Sequence, residues 1–389
     1  MGLKVAICAC LPFPTSQGSQ VLTHAVAQSL SMIGCEVHLL TYAYGESRVE
    51  MNYRHHTAGR WVPSRKLRAG PSIWKPVLDS IIARRWLALA RDIGADVLHA
   101  INYEAVLAGL WVRKRYAAPL VASIHGLLDE ELPFYFRSRR VRRYAQRFGL
   151  LFTQKALPGS DAVLTLNPRD AKRLVELGLP EEKVMWHYPS AVIGDIPDRA
   201  GSRRLLGWRD EKVVLYAGNL DRYQGLDVLF SAFRELAKRH DRLLLAVATT
   251  SDPKPVREAL GDLQSRVRIL FTHDFEEIKR AIVACDAFVI ARTVRYGFPI
   301  KLLNALALGA PVVIDDRCAY GVKSGEEVLT YDGTPGGLAS SLERVLFDAE
   351  LADNIRRGAL SASRRFSLEG MGSDLKRCYE QVLSRVRQP

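Results

Sequence analysis

Short aliphatic runs recur along this chain, each followed by a turn and a stretch of helical periodicity. That alternation confines it to an α/β fold built on open parallel sheets. The first series of strands is read at residues 3–9, 36–41, 96–100, 120–124 and 162–166. A second follows at 212–217, 243–249, 266–271, 287–291 and 312–314, with helices expected at 226–239 and 276–284. The opening strand, a loop holding Gly18, a helix over 21–33 closed by Gly34 and the strand at 36–41 form a nucleotide-fold βαβ unit. Gly18 stands alone where a dinucleotide fingerprint has three glycines, which argues against NAD. An ordinary turn accounts for it as well. Between the series, residues 187–202 (HYPSAVIGDIPDRAGS) read as an interdomain linker. The 389 residues thus predict two Rossmann-like domains, 1–190 and 191–367, with a ligand cleft between them. The tail from Leu368 to Val386 is amphipathic, with Met371, Leu375, Tyr379, Val382 and Leu383 on one face.

Residues 291–315 carry the strongest local signal. Tyr296-Gly297 make a turn, Pro299 suits a first helical position, and Ile300 to Leu308 are apolar on most of the helix surface. Gly309 stops the helix, and Val312-Val313-Ile314 form a strand. No Ser, Thr, Asp or Asn stands at 295–298 to cap the free amides, and Lys301 falls in the first turn, where the helix dipole disfavours a cation. A bound phosphate satisfies both features. The alternative is a lysine that snorkels to water above a water-capped turn.

Composition bounds the rest. Apolar residues make up 48% and charged residues 25%, as in soluble globular proteins. No apolar run is long enough for a membrane span, and the first residues are too short for a signal peptide. Six scattered cysteines without a CxxC pair read as reduced cytosolic thiols, with neither a disulfide nor a metal framework. The formal charge of +13 is uneven: residues 48–155 hold 20 Lys and Arg against 8 Asp and Glu. Six arginines lie between Arg137 and Arg147, and three tryptophans (Trp61, Trp74, Trp86) stand among Arg65, Lys66, Arg68, Lys75, Arg84 and Arg85. Cations interleaved with aromatics suit an anionic bilayer surface. Nucleic acid is the competing partner, unsupported by any recognition motif, and a solvated basic face needs no partner at all. The expected location is cytoplasmic, peripheral on the inner face of the membrane.

Several stretches resemble the retaining GT-B glycosyltransferases of the group 1 and family 4 type. VVLYAGNLDRYQGLDVLFSAF (213–233) is similar to the opening of their second domain, ADVLHA (95–100) and VASIHG (121–126) to their first-domain strands, and YGFPIKLLNALALGAPVVI (296–314) to their donor motif. The order and spacing agree over nearly the whole chain. The resemblance implies a nucleotide-diphosphate sugar held by the second domain, an acceptor on the first, a C-terminal helix (about 368–389) that packs back on the first domain, and no metal; no Asp-x-Asp pair is present. The departures are specific. The family's two donor-motif glutamates are replaced by Tyr296 and Asn304, and its usual Arg and Lys after the first strand of the second domain by Asn219 and Gln224.

On that resemblance, the donor-binding residues are Gly18, Asn219, Gln224, Tyr296, Gly297, Phe298, Pro299 and Asn304. Asn304 can hydrogen-bond a ribose diol and Tyr296 can contact or stack on a sugar, though neither matches a carboxylate. Lys301 and Arg222, with Arg292 or Arg295, are expected to neutralise the diphosphate, and His125 to contact the transferred sugar, a strand-end histidine satisfied by its neighbours being the alternative. Asp129, Glu130 and Glu131 read as a solvated acidic loop, with acceptor binding by one of them as the alternative. The implied function is sugar transfer from a UDP- or GDP-sugar to a saccharide or lipid-linked saccharide. A catalytically silent GT-B protein that binds saccharide or a partner enzyme is the alternative, motivated by the missing glutamates.

Overall fold

A computed structural model describes residues 2–15, 18–45, 49–59 and 75–387. Trp61, Trp74, Arg65, Lys66 and Arg68 lie outside the described residues. The chain divides into two compact units. The first comprises Met1–Ala191, Tyr296–Phe298 and Ser367–Pro389, the second Val192–Arg295 and Pro299–Phe366.

The first unit is built on β1 (Lys4–Pro12), β2 (Glu36–Tyr42), β3 (Arg54–Ala58), β4 (Val97–Ile101), β5 (Leu120–Ile124), β6 (Ala162–Thr165) and β7 (Val184–Trp186). They form one parallel sheet in the order β3-β2-β1-β4-β5-β6-β7. Strands β4, β5 and β6 are buried at every residue, as strands covered on both faces must be, and their sequences are accordingly apolar without alternation. The edge strands are different. β3 reads RHHTA, half-buried, and pairs with β2, where His38 and His56 stack with ring centroids 5.2 Å apart. The first helix, Gly18–Met32, starts three residues before the expected Val21, so Gly18 is its opening residue and is exposed.

Trp86 corrects the sequence reading. It does not flank a basic surface: it is fully buried on the helix Lys75–Ile93, and its indole N–H donates to the Ala6 carbonyl at 3.2 Å. The acidic loop is corrected as well. Asp129 is buried, Arg169 donates to both Glu130 oxygens at 2.9 and 2.5 Å, and the Tyr135 hydroxyl donates to Glu131 at 3.1 Å. The C-terminal helix Leu368–Arg387 completes this unit's core: Met371, Leu375, Tyr379 and Val382 pack with Val5, Ile7 and Leu30.

The second unit holds β8 (Lys212–Ala217), β9 (Leu243–Thr249), β10 (Val267–Phe271), β11 (Ala287–Ile290), β12 (Val312–Asp315) and β13 (Leu329–Tyr331). Their order is β10-β9-β8-β11-β12-β13, again all parallel. Its core joins Tyr216, Leu245, Val289 and Val313 of the sheet to Leu229, Phe233 and Leu342 of the covering helices. The expected linker is shorter than read, because a helix begins inside it at Arg199, capped by the Asp198 carboxylate. That helix is held by charge: Arg199 and Arg203 donate to the two oxygens of Asp286 at 2.8 and 3.1 Å. Hydrophobic periodicity could not reveal it.

Candidate active site

In the second sheet the connections run outward in opposite directions from β8 and β11, which makes their C-terminal ends the topological switch point where open α/β sheets bind ligands. The loops leaving these strands are laced together: the Thr293 amide donates to the Tyr223 carbonyl at 2.9 Å. Here the structure gathers Lys301, Gln224 and Asn219. Lys301 Nζ donates to Gln224 Oε1 at 2.9 Å, and Gln224 Nε2 donates to Asn219 Oδ1 at 2.7 Å. Asn219 Nδ2 in turn donates to Asp221 at 2.8 Å and to the Tyr223 hydroxyl at 3.1 Å.

Lys301 does not snorkel away. Its ammonium lies 4.4 Å from the centroid of the fully buried Tyr216 ring. Gly218 makes that position possible: with φ at +147°, it leaves room where a Cβ would stand 2.8 Å from Lys301 Nζ. Burial, and then the nearby charge of Arg292, push the Lys301 pKa down to about 7. Among the described residues its hydrogen-bond partners, Gln224 Oε1 and the Tyr216 hydroxyl, are neutral. Among the described residues no side chain caps the helix Ile300–Ala307 that carries it, and Pro299 is its N-cap residue, one position before the expected first turn.

The other expected residues fall into place unevenly. Arg222 is exposed, in the same 3₁₀ turn as Gln224. Asn304 is half-buried in the Lys301 helix. Tyr296, Gly297 and Phe298 cluster with the first unit instead. There Tyr296 and Phe298 are buried, Tyr296 beside Phe134 and Phe298 beside Tyr188 with ring centroids 6.3 Å apart in each pair. Both backbone groups of Gly297 are engaged. Its N–H donates to Asp170 Oδ2 at 2.7 Å, and its carbonyl accepts from Asn167 Nδ2 at 2.9 Å. Asn167 is the N-cap of the helix Pro168–Glu176, and Asp170 sits in that helix's first turn. Burial raises the Asp170 pKa, opposed by the Gly297 amide and Arg169.

His125 follows β5 in the first unit, and its amide donates to Asn102 Oδ1 at 3.2 Å. Asn102 has φ of +65°, a left-handed conformation that asparagine tolerates better than most residues. Both ring nitrogens of His125 are buried and have no hydrogen-bond partner among the described residues. Burial, with a smaller contribution from His187, drops its pKa to about 3, so the ring is a neutral imidazole at physiological pH. His99 shows the contrasting, satisfied state: Nδ1 pairs with the Tyr379 hydroxyl at 2.6 Å and Nε2 with Ser123 Oγ at 2.7 Å.

Sequence reasoning missed Tyr216, Gly218, Asn167 and Asp170. A glycine directly after a buried strand, as in YAGN, was the available signal for Gly218. The Asn167–Asp170 pair reads only as a helix cap, because its second role needs a partner 127 residues away. Among the described residues, no His, Cys, Asp and Glu group is arranged to hold a metal ion, and no helix is long and apolar enough to cross a membrane.

Comparison with known proteins agrees with this architecture. Residues 16–189 match the model of Glycosyltransferase Family 4, and residues 211–348 that of Glycosyl transferases group 1. A phosphatidyl-myo-inositol mannosyltransferase of Mycobacterium leprae is 26% identical over 79% of this chain and 78% of its own length. A D-inositol 3-phosphate glycosyltransferase of Jonesia denitrificans is 24% identical over 74% and 72%. Among solved structures, the sucrose-phosphate synthase of Thermosynechococcus elongatus superposes with a TM-score of 0.79 at 17% identity, over 98% of this chain and 100% of that one. The Anabaena protein HepE, solved with UDP and glucose, superposes at 0.76 and 17% identity over 97% and 100%. With two family models in succession along its length and two Rossmann-like parallel sheets, the chain is a GT-B glycosyltransferase.

Proposed function

We propose that the protein transfers a sugar from a UDP- or GDP-sugar to a saccharide or lipid-linked saccharide, with retention of anomeric configuration and without a metal. The observation that carries this reading is Lys301: a cation under burial strain at a sheet switch point, with neutral partners and an uncapped helix N-terminus beside it. A diphosphate supplies the negative charge that the direct partners of Lys301 lack. In the proposed step the bond from the anomeric carbon to the phosphate oxygen breaks, and charge gathers on the departing phosphate. Lys301, aided by Arg222 and Arg292, stabilises that charge. The acceptor hydroxyl oxygen bonds to the anomeric carbon from the leaving-group face, and its proton passes to the departing phosphate oxygen. His125, neutral and with neither ring nitrogen hydrogen-bonded among the described residues, is suited to hydrogen-bond the transferred sugar. The mannosyl- and glycosyltransferase relatives, named for inositol-containing acceptors, support an acceptor that carries a phosphate or a lipid.

Titration calorimetry with UDP and GDP tests the donor site, and proton NMR of the product tests the configuration. Binding of neither nucleotide overturns the reading. A second reading, a silent GT-B protein, is favoured by Tyr296 and Asn304 standing where the family has carboxylates. It requires nucleotide binding without turnover, with or without acceptors.

A further inference from the structure

A surface helix ordinarily turns its large apolar residues inward and its small and charged ones outward. The helix Arg139–Ala156 does the reverse. It buries Ala145, Gly149, Thr153 and Ala156, which lets it lie close on the short helix Leu128–Glu131. Gly149 is needed for that approach, since a Cβ there would stand 2.5 Å from the Asp129 backbone nitrogen. Its outer face carries Val141, Tyr144, Phe148 and Leu151, with fractional exposures of 41, 70, 58 and 58%. Their spacing of three, four and three residues makes one continuous stripe. Exposed Arg139, Arg140, Arg142, Arg143 and Arg147 lie on the same helix, and exposed Phe134 and Tyr135 extend the apolar surface into the preceding 3₁₀ turn.

An apolar stripe alone could meet a second copy of the chain, but its charges argue against that. No acidic residue occurs from Leu132 to Ser160. A symmetric pairing would therefore set arginines against arginines with no carboxylate from this segment between them. Lipid phosphates supply the opposite charge, while the acyl boundary accepts the apolar side chains and Tyr144 suits the interface between the two. We propose that this helix face docks on an anionic bilayer, with Tyr144, Phe148 and Leu151 entering the headgroup–acyl boundary and the arginines pairing with lipid phosphates. The proposal rests on, and deepens, the lipid-linked acceptor reading: it names the surface from which the acceptor is drawn.

The test is co-sedimentation of the full chain with phosphatidylcholine vesicles, with and without phosphatidylglycerol, across a salt series. One variant set is Tyr144→Ser, Phe148→Ser and Leu151→Ser together. The other is Arg139→Gln, Arg140→Gln, Arg142→Gln and Arg143→Gln together. All these side chains are exposed, so both sets should fold, as checked by circular dichroism and Tm. The wild type should bind only the phosphatidylglycerol vesicles, and each set should lower its partitioning by about tenfold or more. The glutamine set should remove the salt-sensitive part and the serine set the salt-resistant part. Three results would overturn the proposal: no binding of anionic vesicles at low salt, serine variants that bind like wild type, or a solution dimer that the serine set splits while vesicles are ignored. Donor hydrolysis, followed in the same samples, should be unchanged in both sets. Its absence in every sample, with vesicle binding intact, counts against sugar transfer and leaves the docking surface standing.

Discussion

At the scale of single residues, the proposed function turns on Lys301. Its folded pKa of about 7 lies below the ordinary lysine value of 10.5, and the sign of the consequence follows. Between those two pH values the unfolded chain holds a proton that the folded chain lacks, so stability should rise with pH across the window. Chemical denaturation at pH 7 and pH 10 should show that rise in the wild type and a flatter profile in Lys301→Met. Binding a nucleotide diphosphate should reverse the balance by raising the Lys301 pKa. Above pH 7 the complex should therefore take up a proton, seen as a dependence of calorimetric enthalpy on the ionisation enthalpy of the buffer. Lys301→Ala should keep the fold yet weaken transition-state stabilisation by about 2 kcal/mol or more. Wild-type kcat/KM in a folded Lys301→Ala variant would remove Lys301 from the diphosphate site.

At the scale of elements, the start of the helix Pro168–Glu176 does two things at once. Asn167 caps its own helix through Oδ1 while its Nδ2 serves both Asp170 and Gly297. Asp170→Ala should leave the buried Gly297 amide without an acceptor, at a cost of about 1–3 kcal/mol. Hydrogen exchange of the peptide containing Gly297 should accelerate in Asp170→Ala and return toward wild type in Asp170→Asn, whose carbonyl can still accept. Unchanged exchange in the alanine variant would show that the contact does not hold the loop. This clamp also marks the boundary of what the sequence revealed. The central strands were legible because burial on both faces forces uninterrupted apolar runs. The three-residue strands β7 and β13 were too short for any period to emerge, and β3 is polar because it lies at an edge. Within the site, Lys301, Gln224 and Asn219 were legible from motif position and do meet. Trp86 misled because an aromatic beside arginines has the same local sequence whether its helix turns it out to solvent or in to the core.

At the scale of the whole molecule, the first unit is assembled from three separated pieces of chain. Its final piece is structural: Tyr379 is fully buried and its hydroxyl pairs with His99, one residue from the middle of β4 to one near the end of the chain. Leu375→Ala, at a fully buried position of that helix, should destabilise the first unit by about 2–5 kcal/mol. Thermal unfolding followed by fluorescence of the buried Trp86, in a variant with the other tryptophans replaced, should report the loss. A Tm equal to wild type would mean that the helix is an accessory to this core.

The same arrangement reaches into the birth of the protein on the ribosome. Between Ala191 and Ser367 the ribosome must produce the whole second unit before the helix that closes the first unit's core appears. At ordinary elongation rates of ~5–20 residues per second, that interval is on the order of 10–40 s. Throughout it, the faces of Val5, Ile7, Leu30 and His99 that Leu375 and Tyr379 will later cover stand open to water and to other nascent chains. The second unit, continuous but for the three residues Tyr296–Phe298, has no such wait. The order of synthesis and the order of completion are thus opposed: the unit made first is the last to be finished.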